Sequence, residues 1–210
     1  MVERASLANV SRKRKPMVPR SNIKVAVKPS PWRTLKFIMQ DQQHSNWCWA
    51  AVAASVASFY GLGARFTQAE LAKIELDPEE RDGTRRSKSP NLLNKTHVLG
   101  APLYRIGCAP DLGAERMATL AEIRKEIDSG RPVCARIIWT GANGDDRAAA
   151  GAHFVAIIGY EAGTDRVAIE DPWLDQSPIK ISYKALCKDY DGNGVWTHTY
   201  FTRDPRSKSA

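Results

Sequence analysis

The chain has 210 residues, of which 43% are hydrophobic and 26% charged, with 14 glycines and 12 prolines. This composition is typical of one ordinary globular domain and excludes a collagen-like, coiled-coil or fully disordered chain. No apolar run is long enough to span a membrane, and no secretory type of apolar segment occurs near the N-terminus. We therefore expect a protein that is cytoplasmic or exported without a cleavable signal peptide.

The net charge of +8 is concentrated at the N-terminus. Residues 1–36 hold ten Lys or Arg and one acid, a net +9, whereas residues 37–210 hold 21 bases and 22 acids, a net −1. Since residues 1–36 also lack a sustained apolar period, they cannot bury enough surface to order themselves. The sequence predicts a basic disordered arm over residues 1–36 and a folded domain over residues 37–205. Because that domain is nearly neutral, we expect no nucleic acid as its partner.

The arm contains the basic run RKRKP at residues 12–16. Such a run is typical of an import signal or of a contact with an acidic partner, while a simple solvated arm is the commoner case. A secretion signal, a nuclear address and a pro-segment all remain open for it.

An apolar segment rich in alanine begins the domain's helical half. Residues 47–60 follow Asn46, which could cap a helix, and precede Gly61 and Gly63, which favour its end. Nearly every face of this segment is apolar. The pattern therefore predicts a central, buried helix.

Two further helices are predicted from capping-box patterns. One begins after Thr67 and ends near residue 75, and the other begins after Thr119 and ends at Gly130. Residues 78–117 mix proline, glycine and charge, and we expect only a short helix near residues 90–98 within them.

The second half of the domain changes to a period of two with many β-branched residues. This pattern is typical of strands, with an exposed loop over residues 141–151. Helices followed by antiparallel strands indicate an α+β fold, with a helical N-terminal half packed on a C-terminal antiparallel sheet. The five predicted strands are 132–140, 152–160, 166–172, 178–183 and 195–202.

The four cysteines show no Cys-x-x-Cys spacing, so we expect free thiols rather than a zinc site or a disulfide framework. Cys48 lies in the first turn of the central helix. Unpaired N–H groups and the positive end of the helix dipole favour an anion there, which makes Cys48 a candidate nucleophile. The alternative is a small buried hydrophobe, because free cysteine is among the most buried residue types.

A cysteine nucleophile needs an imidazole to hold its proton, and the chain offers four histidines. His44 precedes the central helix without an obvious group to fix its ring, His97 lies in the unplaced middle segment, and His198 lies in the last strand. His153 begins a buried strand within the sequence GAHFVAIIGY at residues 151–160. It is the candidate base if a carboxylate faces it.

The strand after His153 supplies such a carboxylate. A hairpin centred on Ala162 would place His153 and Asp171 directly opposite each other. A bulge would shift the register by one residue and bring Glu170 instead. Trp173 would pack over the pair and keep water away from it.

These motifs together resemble the papain-like cysteine peptidases, and within them the compact bacterial effector proteases of the avirulence type. The resemblance extends over residues 40–202, although residues 78–117 contribute nothing to it. Ala152 stands where that family usually has glycine before the histidine. The matching motifs are QQHSNWCWAA at residues 42–51, HFVAIIGY at 153–160 and DPW at 171–173.

The resemblance implies a cysteine endopeptidase in which Cys48 attacks as a thiolate, His153 transfers the proton and Asp171 fixes the ring. It further implies that the Gln42 amide forms an oxyanion hole with the Cys48 backbone N–H. Gln43 is the alternative if the loop is one residue tighter. We expect no metal or organic cofactor, because the thiolate supplies the nucleophile, and a monomer that acts on a peptide or protein substrate.

Two other functions are compatible with the same residues. A non-catalytic binding module of the same fold would dock through its basic arm on an acidic partner. A thiol amidase or acyl transferase would use the same groups on a different substrate, since one fold serves several chemistries.

Overall fold

The computed structural model describes residues 31–77, 89–139, 151–173 and 178–207. The helices in this part of the chain are α1 (Cys48–Phe59), α2 (Gln68–Leu76), α3 (Gly100–Arg105), α4 (Leu120–Asp128) and α5 (Tyr183–Lys188), with a 3-10 helix over Pro90–Leu93. The strands are β1 (Trp32–Thr34), β2 (Val133–Trp139), β3 (His153–Glu161), β4 (Arg166–Glu170), β5 (Ile179–Ser182) and β6 (Gly194–Phe201). None of the described helices is long and apolar enough to cross a membrane.

The sheet has the strand order β5-β4-β3-β2-β6, and all of its pairs are antiparallel. Helices in the first half and this sheet in the second half confirm the predicted α+β fold. The central strand β3 is buried on both faces. Its alternate residues belong to two apolar clusters, one shared with α1 and the other with α4.

The short strand β1 pairs antiparallel with the far end of β3, with Trp32 opposite Glu161. It lies within residues 1–36, so the predicted disordered arm is too long at its C-terminal end. Three residues are too few to show a strand period in the sequence. Residues 1–30 of that arm lie outside the described part of the chain.

Helix α1 is the buried centre of the helical half. Residues 48–57 are all buried, as the apolar pattern predicted. Its predicted cap is wrong, because the N-cap residue is Trp47 and it makes no side-chain capping bond. Asn46 instead donates its side-chain amide to the Asn94 carbonyl at 3.2 Å. This tertiary contact takes the side chain away from the helix terminus.

The two predicted capping residues lie where the sequence placed them. Thr67 accepts the Glu70 backbone N–H at the start of α2, and Thr119 forms a complete capping box with Glu122 at the start of α4. The sequence did not predict α3 or α5. Each has six residues, which is under two turns and too short to establish a 3.6-residue period.

The β3–β4 hairpin differs from its predicted register. Ile157 pairs with Ile169, and a bulge follows, after which Gly159 pairs with Ala168. Continuing this register places His153 opposite residue 173, so the predicted direct opposition of His153 and Asp171 is wrong. The turn is centred closer to Gly163, whose φ of +80° suits glycine.

Candidate active site

Cys48 is the first residue of α1 and lies at the junction of the two halves of the fold. Its side chain is only 7% exposed, and its thiol donates to the Ala152 carbonyl at 3.7 Å. The first N–H groups of any helix lack an acceptor within the helix, so the start of α1 favours a negative charge on Cys48.

The residues on either side of Cys48 hold the start of α1 in place. The Trp47 indole N–H donates to the Leu93 carbonyl at 2.8 Å, and the Trp49 indole N–H donates to the Lys95 carbonyl at 3.0 Å. Both indole rings are buried. The end of the 3-10 helix and the segment directly after it therefore fix the position of the Cys48 backbone.

His153, the first residue of β3, lies between Cys48 and Asp171. Its Nε2 is 2.9 Å from Asp171 Oδ1, and both side chains are buried. With Nε2 facing the carboxylate, Nδ1 is the remaining ring nitrogen, and His153 lines the same pocket as Cys48. The structure thus brings together the three residues that the sequence singled out.

The charge of this pair is set by burial and by hydrogen bonds. Burial lowers the pKa of His153, but its interactions with Asp171 and Cys48 raise that pKa by more than burial lowers it. The resulting pKa is about 9. Burial raises the pKa of Asp171, but the hydrogen bonds from His153, the Tyr190 hydroxyl and the Trp173 backbone N–H outweigh it and lower that pKa. An imidazolium beside a carboxylate is the favoured state at neutral pH.

Two indole rings flank the His153 ring. The Trp139 and Trp173 ring centroids lie 5.9 Å and 5.7 Å from the imidazole centroid. Trp173 is 54% exposed, so it covers the histidine and faces solvent at the same time. The apolar cover reduces competition by water for the hydrogen bond between His153 and Asp171.

Gln42 lines the same pocket as Cys48 and His153. Its amide nitrogen donates to the His44 carbonyl at 3.2 Å and the Ser45 carbonyl at 3.0 Å, both in its own loop. The amide is therefore at the pocket, but its N–H groups face the loop in this structure. To donate to an oxyanion, the amide must share or release one of these two bonds.

The alternatives to Gln42 and Asp171 lie elsewhere. The Gln43 backbone N–H donates to Gln68, and Gln43 does not line the pocket around Cys48. Glu170 is the last residue of β4 and pairs with Ala156. A bulge does occur in this hairpin, yet Asp171 and not Glu170 contacts the histidine.

The other three histidines have separate surroundings. The His44 ring packs edge-on against Trp47 at 4.2 Å. His97 lies 3.2 Å from a Glu75 carboxylate oxygen. His198 lies in β6 opposite Arg136. Among the described residues, no three His, Cys, Asp or Glu side chains are placed to hold one metal ion.

Comparison with known sequences identifies the family of this chain. A profile of the Peptidase_C39 like family matches residues 34–203, which extend from the end of β1 to just beyond β6. The chain belongs to the Peptidase_C39 like family. Membership indicates a cysteine peptidase, as the motifs predicted. No curated protein sequence matches the chain at a significant level.

A solved structure supports the C39-like fold of the chain. A crystal structure from Bacillus anthracis, described as that of a C39-like peptidase, superposes with a TM-score of 0.50 at 18% sequence identity. The match covers 84% of this chain and 99% of that chain. At this identity the likeness concerns the fold alone.

Gln68 is a buried residue of this C39-like domain that the sequence analysis did not identify. It is 1% exposed, and its side chain accepts the Gln43 N–H at 3.0 Å and donates to the Asp41 carbonyl at 2.9 Å. Through these two hydrogen bonds, Gln68 holds the loop that contains Gln42 against helix α2. A single glutamine at the start of a helix gives no sequence signal for such a contact.

Asn94 fixes the other end of the same loop. Its side-chain oxygen Oδ1 accepts the Asn46 backbone N–H, and its side-chain amide N–H donates to the Ser45 hydroxyl, each at 3.0 Å. Asn94 lies in the segment that showed no readable pattern. Its role depends on the tertiary fold, which brings residues 48 positions apart into contact.

The remaining three cysteines have a different environment from Cys48. Cys108, Cys134 and Cys187 are buried and form no disulfide. Burial raises the pKa of each of these thiols, to about 12 for Cys108. They are therefore poor nucleophiles at neutral pH.

Proposed function

We propose that this member of the C39-like family is a cysteine endopeptidase that hydrolyses peptide bonds with Cys48, His153 and Asp171. The observation that supports this most is that Cys48 and His153 line one pocket, while His153 Nε2 lies 2.9 Å from Asp171 Oδ1. The three residues come from α1, from the start of β3 and from the residue after β4. A buried histidine between a cysteine and a carboxylate is the arrangement that activates a thiol.

In the proposed acylation step, the Cys48 sulfur attacks the carbonyl carbon of the scissile bond as a thiolate. The carbonyl oxygen becomes an oxyanion in a tetrahedral intermediate. His153, which holds the proton taken from Cys48, gives it to the leaving nitrogen, and the C–N bond breaks. Asp171 keeps the ring oriented and stabilises its positive charge.

The acyl group is then removed by water. His153, now neutral, takes a proton from a water molecule while the water oxygen attacks the thioester carbon. The C–S bond breaks as the intermediate collapses. The products are a carboxylic acid and a Cys48 with its proton again shared with His153.

The oxyanion would accept hydrogen bonds from the Cys48 backbone N–H and from one N–H of the Gln42 side-chain amide. The existing bond from Gln42 to the Ser45 carbonyl, at 3.0 Å, is the one that the oxyanion would replace or share. Loss of one such donor costs about 3 kcal/mol of transition-state stabilisation in related chemistry.

The remaining parts of the proposal come from the sequence alone. They concern a closer likeness to avirulence-type effector proteases, a monomer with a peptide or protein substrate, and a basic arm that contacts an acidic partner. Each of these is separable from the assignment of Cys48, His153 and Asp171.

Replacement of Cys48 by alanine tests the assignment of the nucleophile. The wild-type chain is incubated with a mixed peptide library, and new termini are identified by mass spectrometry. We expect Cys48→Ala to lose cleavage by at least about 10³-fold, because the attacking atom is removed. The matched control is Cys108→Ala, which removes another buried thiol and should leave the cleavage rate unchanged.

The outcome also separates the alternative functions. Cleavage that survives in Cys48→Ala would rule out Cys48 as the nucleophile. A wild type whose Cys48 forms an acyl adduct that is passed to an amine rather than to water indicates a transferase. A wild type without cleavage and without a reactive Cys48 indicates a binding module.

A further inference from the structure

We propose that Tyr190 is a positioning residue of this active site, whose hydroxyl holds the Asp171 carboxylate in the orientation that faces His153. This inference rests on the proposed function and adds a residue to the proposed catalytic machinery. Tyr190 lies between α5 and β6, outside the motifs that indicate a cysteine peptidase.

The Asp171 carboxylate is held at both of its oxygens. Oδ1 accepts hydrogen bonds from His153 Nε2 at 2.9 Å and from the Trp173 backbone N–H at 2.8 Å. Oδ2 receives the Tyr190 hydroxyl at 2.6 Å. This last bond is the shortest of the three and has the length of a hydrogen bond to a charged carboxylate.

The strand pairing does not orient Asp171. Asp171 lies beyond the last residue of β4, and the observed register would place residue 173 opposite His153. The carboxylate therefore reaches the imidazole diagonally and depends on contacts from outside the hairpin. Tyr190 supplies a side-chain contact on the carboxylate oxygen that does not face the histidine.

A tight turn fixes Tyr190 itself. The Tyr190 N–H and carbonyl are each bonded to Gly194 at 2.9 Å. The three residues between them all have left-handed φ angles, from 43° to 74°. A Cβ atom at Gly194 would lie 2.4 Å from the Tyr190 carbonyl oxygen, so this close approach requires glycine.

The hydroxyl remains a donor over the working pH range. Burial raises the pKa of Tyr190, and the charge of Asp171 raises it further. The side chain is 2% exposed, so water cannot easily replace the hydroxyl if it is removed. The second carboxylate oxygen would then lose a donor inside the protein, which weakens the orientation of the first.

Tyr190→Phe tests the inference, because it removes the hydroxyl and keeps the ring. We expect kcat on the cleaved peptide to fall about tenfold with KM little changed, the effect of losing a hydrogen bond to a charged group. We also expect the alkaline limb of kcat/KM against pH to move to lower pH. A poorly oriented Asp171 supports the imidazolium less, so the pKa of His153 falls back from about 9 toward 6.5.

The matched control is Tyr60→Phe. Tyr60 is also buried, at 5% exposure, and its hydroxyl is bonded to Thr202 at 2.7 Å, away from the active site. This variant should lose thermal stability without any change in the pH profile. If Tyr190→Phe behaves like Tyr60→Phe, its role is structural only and the inference is overturned.

A second measurement needs no peptide substrate. The rate at which iodoacetamide alkylates Cys48 reports the thiolate paired with imidazolium, and we expect Tyr190→Phe to slow it several-fold at pH 6. An unchanged rate overturns the inference about Tyr190. A slower rate in a protein that cleaves no peptide supports Tyr190 while the proposed peptidase function fails.

A third measurement covers the case in which Tyr190→Phe does not fold. In the wild type with 13C-labelled tyrosine, the Tyr190 ring signal should shift as His153 titrates near pH 9, because Asp171 links the two groups. The Tyr60 signal should stay constant over that transition. A Tyr190 signal that is also constant contradicts the inference.

Discussion

His153 is the residue that sets the pH dependence of the proposed mechanism. Its pKa is raised to about 9, so the imidazolium that protonates the leaving nitrogen is lost as the pH rises through that value. We expect kcat/KM to decline on the alkaline side near pH 9. The measurement is the pH profile of kcat/KM on a neutral peptide.

Asp171→Asn should move that alkaline limb toward lower pH and reduce the rate. The asparagine keeps the shape of the side chain but removes the charge that raises the pKa of His153. A fall in kcat of about 10²-fold or more is the expected size for loss of the carboxylate beside a catalytic histidine. Asp128→Asn is the control, since Asp128 accepts the Tyr160 hydroxyl at 2.9 Å outside the active site. An alkaline limb that stays near pH 9 in Asp171→Asn would contradict the assigned role.

The contact between His153 and Asp171 is predicted from a hairpin whose register in the structure is different. The sequence shows that a strand with His153 is followed by a strand that ends near Asp171, and it predicts that the two residues meet. It does not show the bulge after Ile157 or the position of the turn at Gly163, which together change the register. Side chains can also meet diagonally across a pair of strands, so the contact between His153 and Asp171 survives the change.

At the scale of elements, the loop before α1 depends on side chains from two other helical segments. Gln68 in α2 binds one part of this loop, and Asn94, just after the 3-10 helix, binds the other. The Gln42 backbone N–H also donates to the Pro172 carbonyl at 3.0 Å. This backbone hydrogen bond joins the loop before α1, which contains Gln42, to the segment that contains Asp171.

Gln68→Ala should therefore affect catalysis as well as stability. It leaves the Asp41 carbonyl and the Gln43 N–H without their protein partners, and each lost hydrogen bond costs about 0.5 to 1.5 kcal/mol, because both residues are exposed and water can replace the partner. We expect a lower melting temperature and a lower kcat, because Gln42 lies between the two released groups. The control is Gln40→Ala, which removes only the longer 3.3 Å contact with Gln68. A Gln68→Ala variant with an unchanged kcat, measured where it is folded, would show that the loop does not depend on this contact.

The elements themselves differ in how well the sequence predicts them. Helix α1 and the strands β2 and β3 have long apolar patterns, and their bounds agree with the prediction to within one or two residues. The short elements α3, α5 and β1 have no period to detect. Tyr190 was missed for a different reason, since its contact with Asp171 is made only when the turn before β6 folds against the end of β4.

At the scale of the whole molecule, the nucleophile belongs to the helical half and the imidazole and carboxylate belong to the sheet. Helix α1 lies against β3, and the two share one apolar cluster. The pocket is therefore formed by the packing of the two halves rather than by either alone. Any change that separates α1 from β3 should therefore move Cys48 away from His153.

The strand β1 offers a test of where the folded unit begins. The residues on either side of β1 extend its pairing with β3. The Leu35 N–H donates to the Ile158 carbonyl at 2.8 Å, and the Ala162 N–H donates to the Pro31 carbonyl at 2.7 Å. Since the family match begins at residue 34, we expect a chain of residues 31–210 to keep the wild-type melting temperature and kcat/KM on a short peptide.

A chain of residues 37–210 should behave differently, although it retains the buried Phe37. It lacks β1, which covers the β3 edge beside Gly159, and each kcal/mol lost in a domain of this size lowers the melting temperature by about 2 to 4 °C. We expect a drop of several degrees, while kcat/KM at 20 °C changes little because His153 lies at the opposite end of β3. Calorimetry and peptide cleavage on the two truncated chains give the comparison. Equal melting temperatures would place the start of the folded unit at residue 37, and loss of activity in the 31–210 chain would assign residues 1–30 a part in catalysis.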